Sequence, residues 1–77
     1  MPTKAYVLIG SDPSKTKTVV AQLREVPGIR EVNEVIGPYD IVAEIEISEI
    51  SDISSILRQQ IRAIEGVKHT VTCVGMP

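Results

Sequence analysis

Residues 29–47, Ile-Arg-Glu-Val-Asn-Glu-Val-Ile-Gly-Pro-Tyr-Asp-Ile-Val-Ala-Glu-Ile-Glu-Ile, decide how this chain folds. Ile29 to Ile36 is rich in β-branched residues, with Val32, Val35 and Ile36, and Gly37-Pro38-Tyr39-Asp40 then supplies turn formers. From Ile41 to Ile47 the pattern alternates: Ile41, Ala43, Ile45 and Ile47 share one side of a strand, and Val42, Glu44 and Glu46 share the other. The segment is a hairpin with one apolar face and one mixed face.

On its N-terminal side, Ala5-Tyr6-Val7-Leu8-Ile9 is an apolar run closed by Gly10-Ser11-Asp12-Pro13, a strand followed by a turn. Asp12 before Pro13 suits an N-cap and first helical residue, and Thr16, Val19, Val20 and Leu23 follow at helical spacing until Pro27-Gly28. On the C-terminal side, Ser48, Ser51 and Asp52 are each able to cap a helix whose apolar face runs through Ile53, Ile56, Leu57, Ile61 and Ile64 to Gly66. Val67 to Val74 is a fourth strand. The halves echo one another, since Val26-Pro27-Gly28-Ile29-Arg30 recurs as Ile64-Glu65-Gly66-Val67-Lys68. Right-handed crossovers around a central hairpin make the economical solution a ferredoxin-like α+β fold, βαββαβ. Its four antiparallel strands take the order 4-1-3-2, with both helices on one face. Residues 1–77 are used up by this single domain.

Composition narrows the function. The chain of 77 residues has a net charge of −2, with basic residues scattered among acids, so no face is positive enough to bind a phosphate backbone directly. No apolar run reaches the roughly 20 residues that cross a bilayer, and no signal-like segment precedes the first strand, so a cytoplasmic location is expected. Cys73 is the only cysteine and His69 the only histidine, which argues against a disulfide and a structural metal. A domain this small buries only roughly 60% of its unfolded surface, so association is expected to supplement its stability.

Two helices leave the second face of the sheet open. With Ala5, Val7 and Ile9 toward the helices, Tyr6 and Leu8 lie in the middle of that open face, where burying each would contribute roughly 1.5–3 kcal/mol. A face-to-face dimer through Tyr6 and Leu8 is the expectation. The fourth strand is ambiguous: Thr70 and Thr72 share one side and Val71 and Cys73 the other, and a bulge could aim either pair at the helices. His69 has no serine, cysteine or carboxylate beside it in local spacing and reads as a bystander, while Cys73 reads as a small buried hydrophobe. No enzyme, cofactor or metal is expected. In the hairpin turn, Gly37, Pro38, Tyr39 and Asp40 would present backbone groups and one carboxylate to a small zwitterion, although the same residues also make an ordinary turn.

The run Gly37-Pro38-Tyr39-Asp40-Ile41-Val42-Ala43-Glu44-Ile45-Glu46 resembles the glycine-x-aromatic-aspartate strand of the Lrp/AsnC family of transcriptional regulators. Val67 to Val74, with Thr70-x-Thr72, resembles the final strand of that family's effector-binding (RAM) domain, and Val26-Pro27-Gly28-Ile29 resembles its helix end. The resemblance implies an amino-acid effector held between dimers, with Asp40 at its ammonium, Gly37 to Tyr39 lining the pocket, and Thr70 and Thr72 at its floor or carboxylate end. It also implies a homo-oligomer, a dimer able to build an octamer of four dimers, and full-length Lrp/AsnC-type regulators as partners. The helix-turn-helix of that family has no counterpart in these residues, so this chain is expected not to bind DNA alone. Two alternatives remain open: an ACT-type amino-acid-binding domain, whose ligand would sit near Gly10-Ser11-Asp12-Pro13, and a small dimeric α+β-barrel enzyme, for which Tyr6, Tyr39 and His69 are scant lining.

Overall fold

A computed structural model describes residues 2–76. Its elements are β1 (Thr3–Ser11), a 3-10 turn (Pro13–Lys15), α1 (Thr16–Leu23), β2 (Ile29–Glu34), β3 (Ile41–Ile47), α2 (Ser51–Ser55, continuing as a π-helical stretch Ile56–Ile61) and β4 (Val67–Val74). The strands form one antiparallel sheet ordered β2-β3-β1-β4, the order expected from the sequence. Both helices bury their apolar stripes on the same face. Ala5, Val7 and Ile9 of β1 and Ile41, Ala43 and Ile45 of β3 are fully buried there, with Val19 and Leu23 of α1 and Ile61 of α2.

The internal echo is a repeated piece of backbone. Gly28 and Gly66 both take positive φ, 93° and 104°, at the point where each helix hands over to a strand. The next residue bonds back in the same way, Ile29 N–H to the Val26 carbonyl and Val67 N–H to the Ile64 carbonyl, each at 3.2 Å. Both glycine carbonyls then accept an amide from another segment: Glu46 N–H reaches Gly28 at 2.9 Å and Asp12 N–H reaches Gly66 at 2.8 Å. Only the second is crowded, because a Cβ on Gly66 would come within 3.0 Å of Lys15 and Val19 side-chain atoms.

Several local expectations change. β1 runs on to Ser11 instead of ending before Gly10, and Asp12 caps the 3-10 turn, accepting from Ser14 N–H, before α1 begins at Thr16. β2 stops at Glu34, and Ile36, assigned to the strand on β-propensity, is fully exposed beside the turn. None of Ser48, Ser51 or Asp52 caps α2: the helix opens from Ile50, already in right-handed helical geometry, without a side-chain cap. The wider π turn, with Arg62 N–H bonded to the Leu57 carbonyl at 2.8 Å, was not foreseen either. Leu57 and Ile61 still meet the core, so the apolar spacing is satisfied by either helix type.

The ambiguity in β4 is resolved by register. Thr72 lies opposite Val7 and Thr70 opposite Ile9, so both threonines are on the helix side, while Val71 opposes Leu8 and Cys73 opposes Tyr6 on the open side. Cys73 is exposed, contrary to the expectation of a buried hydrophobe, because it stands on an edge strand and on the face without helices.

Candidate functional site

Asp40 is the hub of the sheet end where β1 finishes and β3 begins. Its backbone N–H donates to the Ile9 carbonyl at 2.9 Å, its carbonyl accepts from Val35 N–H at 2.8 Å, and Oδ2 accepts from Ser11 N–H at 2.8 Å. Ser11 in turn shares a 2.7 Å hydrogen bond with the Thr16 hydroxyl in a buried position. The β1–α1 connection is thereby knotted to the hairpin turn. The carboxylate lines a hollow of about 350 Å³ with Pro13, Ser14, Thr16, Lys17, Glu34 and Val35. This wall combines two carboxylates, an ammonium and two hydroxyls.

Other predicted residues are distributed differently. Gly37 and Pro38 are exposed at the turn tip and do not line that hollow. Tyr39 does not line that hollow either; its ring meets the ring of His69, with centroids 5.7 Å apart and planes tilted by 58°. The His69 ring lies over Gly10, where any Cβ would overlap it, so His69 packs as a structural partner of that glycine. Thr70 accepts a long 3.4 Å hydrogen bond from Arg62 Nε and lines a separate hollow with Arg62, Val67, Lys68 and His69. Within one protomer, therefore, Asp40 and Thr70 do not share a cavity. Thr72 is half-buried beneath the helix layer and lines neither hollow.

Sequence reading missed Ser11, Thr16, Lys17 and Arg62. A signal existed for the first, since Gly10-Ser11-Asp12-Pro13 carries the alternative ligand loop. The fold brings the rivals together: Ser11 of that loop bonds the Asp40 carboxylate, and Pro13 at its end lines the same hollow as Asp40. The open face is apolar at its centre, with Leu8 flanked in register by Val42 and Val71, and Tyr6 by Glu44 and Cys73. Tyr6 keeps 37% of its surface exposed. No helix among the described residues is long and apolar enough to cross a membrane, and no three His, Cys, Asp or Glu side chains there are grouped to hold a metal ion.

Comparison with known proteins adds ancestry to this geometry. A family model described as the Lrp/AsnC ligand binding domain matches residues 4–76. An uncharacterised helix-turn-helix-type transcriptional regulator of Pyrococcus furiosus is 36% identical over 76 residues, which are 95% of this chain and 51% of that protein. The chain thus spans about half the length of the curated regulators it matches. A homocitrate synthase of Sulfurisphaera tokodaii is 37% identical over 57 residues, 74% of this chain and 12% of the enzyme. Among solved structures, a Thermus thermophilus protein superposes with a TM-score of 0.93 at 29% identity, covering 97% of this chain and 94% of that one. Escherichia coli AsnC shares the fold with a TM-score of 0.91 at 17% identity, covering 97% of this chain and 51% of that one. So does a Neisseria meningitidis transcriptional regulator solved with L-methionine, with a TM-score of 0.88 at 12% identity and coverage of 97% and 50%.

Proposed function

The chain belongs to the Lrp/AsnC ligand-binding domain family, and on that footing we propose that it is an amino-acid-sensing regulatory domain whose effector sits at Asp40. The observation that carries the reading is the Asp40 hollow, whose wall complements a zwitterion. Asp40 and Glu34 offer acceptors for an ammonium, and Lys17 and the Ser14 hydroxyl offer donors for a carboxylate. Asp40 is held in place by the Ser11 amide on one oxygen only, which leaves the other for a ligand. The Neisseria regulator with bound L-methionine supports an amino acid as the ligand class.

The hollow is open on one side, and Thr70 lies elsewhere in the same protomer, so a site using both is completed by a second copy. Dimers formed through Tyr6 and Leu8, and rings of four such dimers, bring hollows of different copies together, and effector binding is then coupled to assembly. Full-length regulators of the same family are the partners this arrangement suits. A second reading, favoured by the homocitrate synthase match, is that the same effector site regulates a metabolic enzyme instead of a promoter.

A thermal-shift screen of the proteinogenic amino acids, followed by calorimetry, tests the proposal, because a ligand of the native state raises its stability. Asp40→Ala is expected to weaken binding by roughly tenfold to more than a hundredfold, the worth of a charge-assisted hydrogen bond. Equal affinity in the variant would remove Asp40 from the site, and a screen without hits would remove the reading.

A further inference from the structure

We propose that the hollow between β4 and the end of α2 is a second binding site, for a small oxyanion that carries no ammonium group. Its volume is about 390 Å³ and its lining is Arg62, Val67, Lys68, His69 and Thr70. Arg62 and Lys68 are cationic, Thr70 carries a hydroxyl, and none of the five residues is an acid. In a chain with a net charge of −2, such segregation stands out. The Asp40 hollow, by contrast, mixes both signs. The two sites at the same end of the sheet therefore select for different charge patterns: one for a zwitterion, the other for an anion.

The backbone is arranged to produce this cluster. His69 and Thr70 keep the regular alternation, opposite Gly10 and Ile9, so the His69 ring lies over Gly10 on the helix-free face while Thr70 faces the helix layer. Here Gly10 pairs with His69 and Ser11 with Val67, so Lys68 is the extra residue of a β-bulge, a device that re-aims a side chain. Arg62, just past the π-helical stretch, is tethered over the hollow by its Nε–H bond to the Thr70 hydroxyl. A cation at a helix C-terminus suits the helix dipole, which accounts for Arg62 alone but not for Lys68 on β4. Of the nearby acids, Glu65 is bound to Lys15 Nζ at 2.8 Å, and Asp12, near enough for the Lys68 charge to act on it, accepts the amide and the hydroxyl of Ser14 on one oxygen. Among the described residues, neither Arg62 nor Lys68 is in an ion pair. β4 is an edge strand, so alternate amides along it face outward and add donors. A guanidinium, an ammonium and a hydroxyl around one cavity recognise carboxylate or phosphate oxygens.

Inorganic phosphate and succinate are the probes, titrated at low salt into isotope-labelled protein by NMR and calorimetry. Binding is expected to move the amide signals of Val67 to Thr70, to weaken with added salt, and to fall at least about tenfold in Arg62→Gln/Lys68→Gln. Both side chains are exposed, so that double variant is expected to melt with the wild type. Tighter phosphate than succinate identifies a phosphorylated ligand, and the reverse a carboxylic acid. If neither probe moves those amides, or the double variant binds as well as wild type, the second site is overturned. Because Thr70 of one copy is also placed at the effector of another, an amino acid whose binding is lost in Asp40→Ala and unchanged in the double variant separates the two sites, whereas loss in both makes this hollow part of the effector site and overturns the second one.

Discussion

On the covered face of the sheet Ile9, Ile41 and Ile45 are fully buried, whereas one residue along the same strands Leu8, Val42 and Tyr6 remain partly open. The strands are shared and the composition is similar; what differs is the presence of a second layer. The covered face specifies the fold. The open face has the apolar centre of a core, Leu8 between Val42 and Val71, rimmed by Lys4, Glu44 and Glu46, and it is the surface on which the proposed dimer would form. On that proposal neighbouring residues of a single strand answer to different events, folding and association.

The largest expected effect tests that division. Ile9→Ala removes a fully buried side chain and is expected to lower stability by about 2–5 kcal/mol at any protein concentration, measured by urea unfolding. Leu8→Glu, its immediate neighbour, is expected to leave the monomer folded and to reduce the assembled mass seen by light scattering, because it sets an unpaired charge in an apolar contact. If Leu8→Glu assembles like wild type, the interface lies elsewhere. If it unfolds as severely as Ile9→Ala, the open face is part of the folding core and the division fails.

Intermediate in size is the corner where the open face meets the site. Gly10→Ala would drive a methyl into the His69 ring and force it away from Tyr39. A loss of roughly 1–3 kcal/mol is expected, of the size seen for overpacking. The same substitution in a His69→Ala background should be nearly neutral. An undiminished loss in that background would show that the ring is not what requires glycine.

Elements governed by local periodicity were legible in the sequence, and contacts across it were not. Two-residue alternation placed Ile41 to Ile47 on the correct faces, and the Pro27-Gly28 and Glu65-Gly66 stops marked two equivalent turns. β-propensity misassigned Ile36 because nothing in the neighbourhood offers it a surface to pack on. The regular spacing from Ile53 to Ile64 hid a π turn, since Ile53, Ile61 and Ile64 reach the core either way. At the site, the turn residues Gly37 to Asp40 were visible as a motif, but the bond from Ser11 to Asp40 joins residues 29 apart, and no local pattern encodes it. The meeting of Arg62 and Lys68 was hidden for a related reason: the bulge that re-aims Lys68 exists only as a mismatch between two strands.

The smallest effect concerns the β1–α1 turn, which supports both faces without belonging to either. Asp12 accepts from Ser14 N–H at 3.0 Å and from the Ser14 hydroxyl at 2.8 Å. These bonds, the amide first, hold its carboxyl below the ordinary value of 3.8. Because folding lowers this pKa, the carboxylate contributes stability that is present above the unfolded value and disappears as pH falls through the folded one. Asp12→Ala is therefore expected to be slightly less stable than wild type near neutrality, by less than Gly10→Ala, and the gap should close in strongly acidic buffer. The group is exposed, so the gap reflects the local cap and not a buried charge. Urea midpoints of both proteins across acidic and neutral buffers measure it. A gap that persists unchanged at the acid end would mean that Ser14 is held by the turn geometry and not by the charge on Asp12.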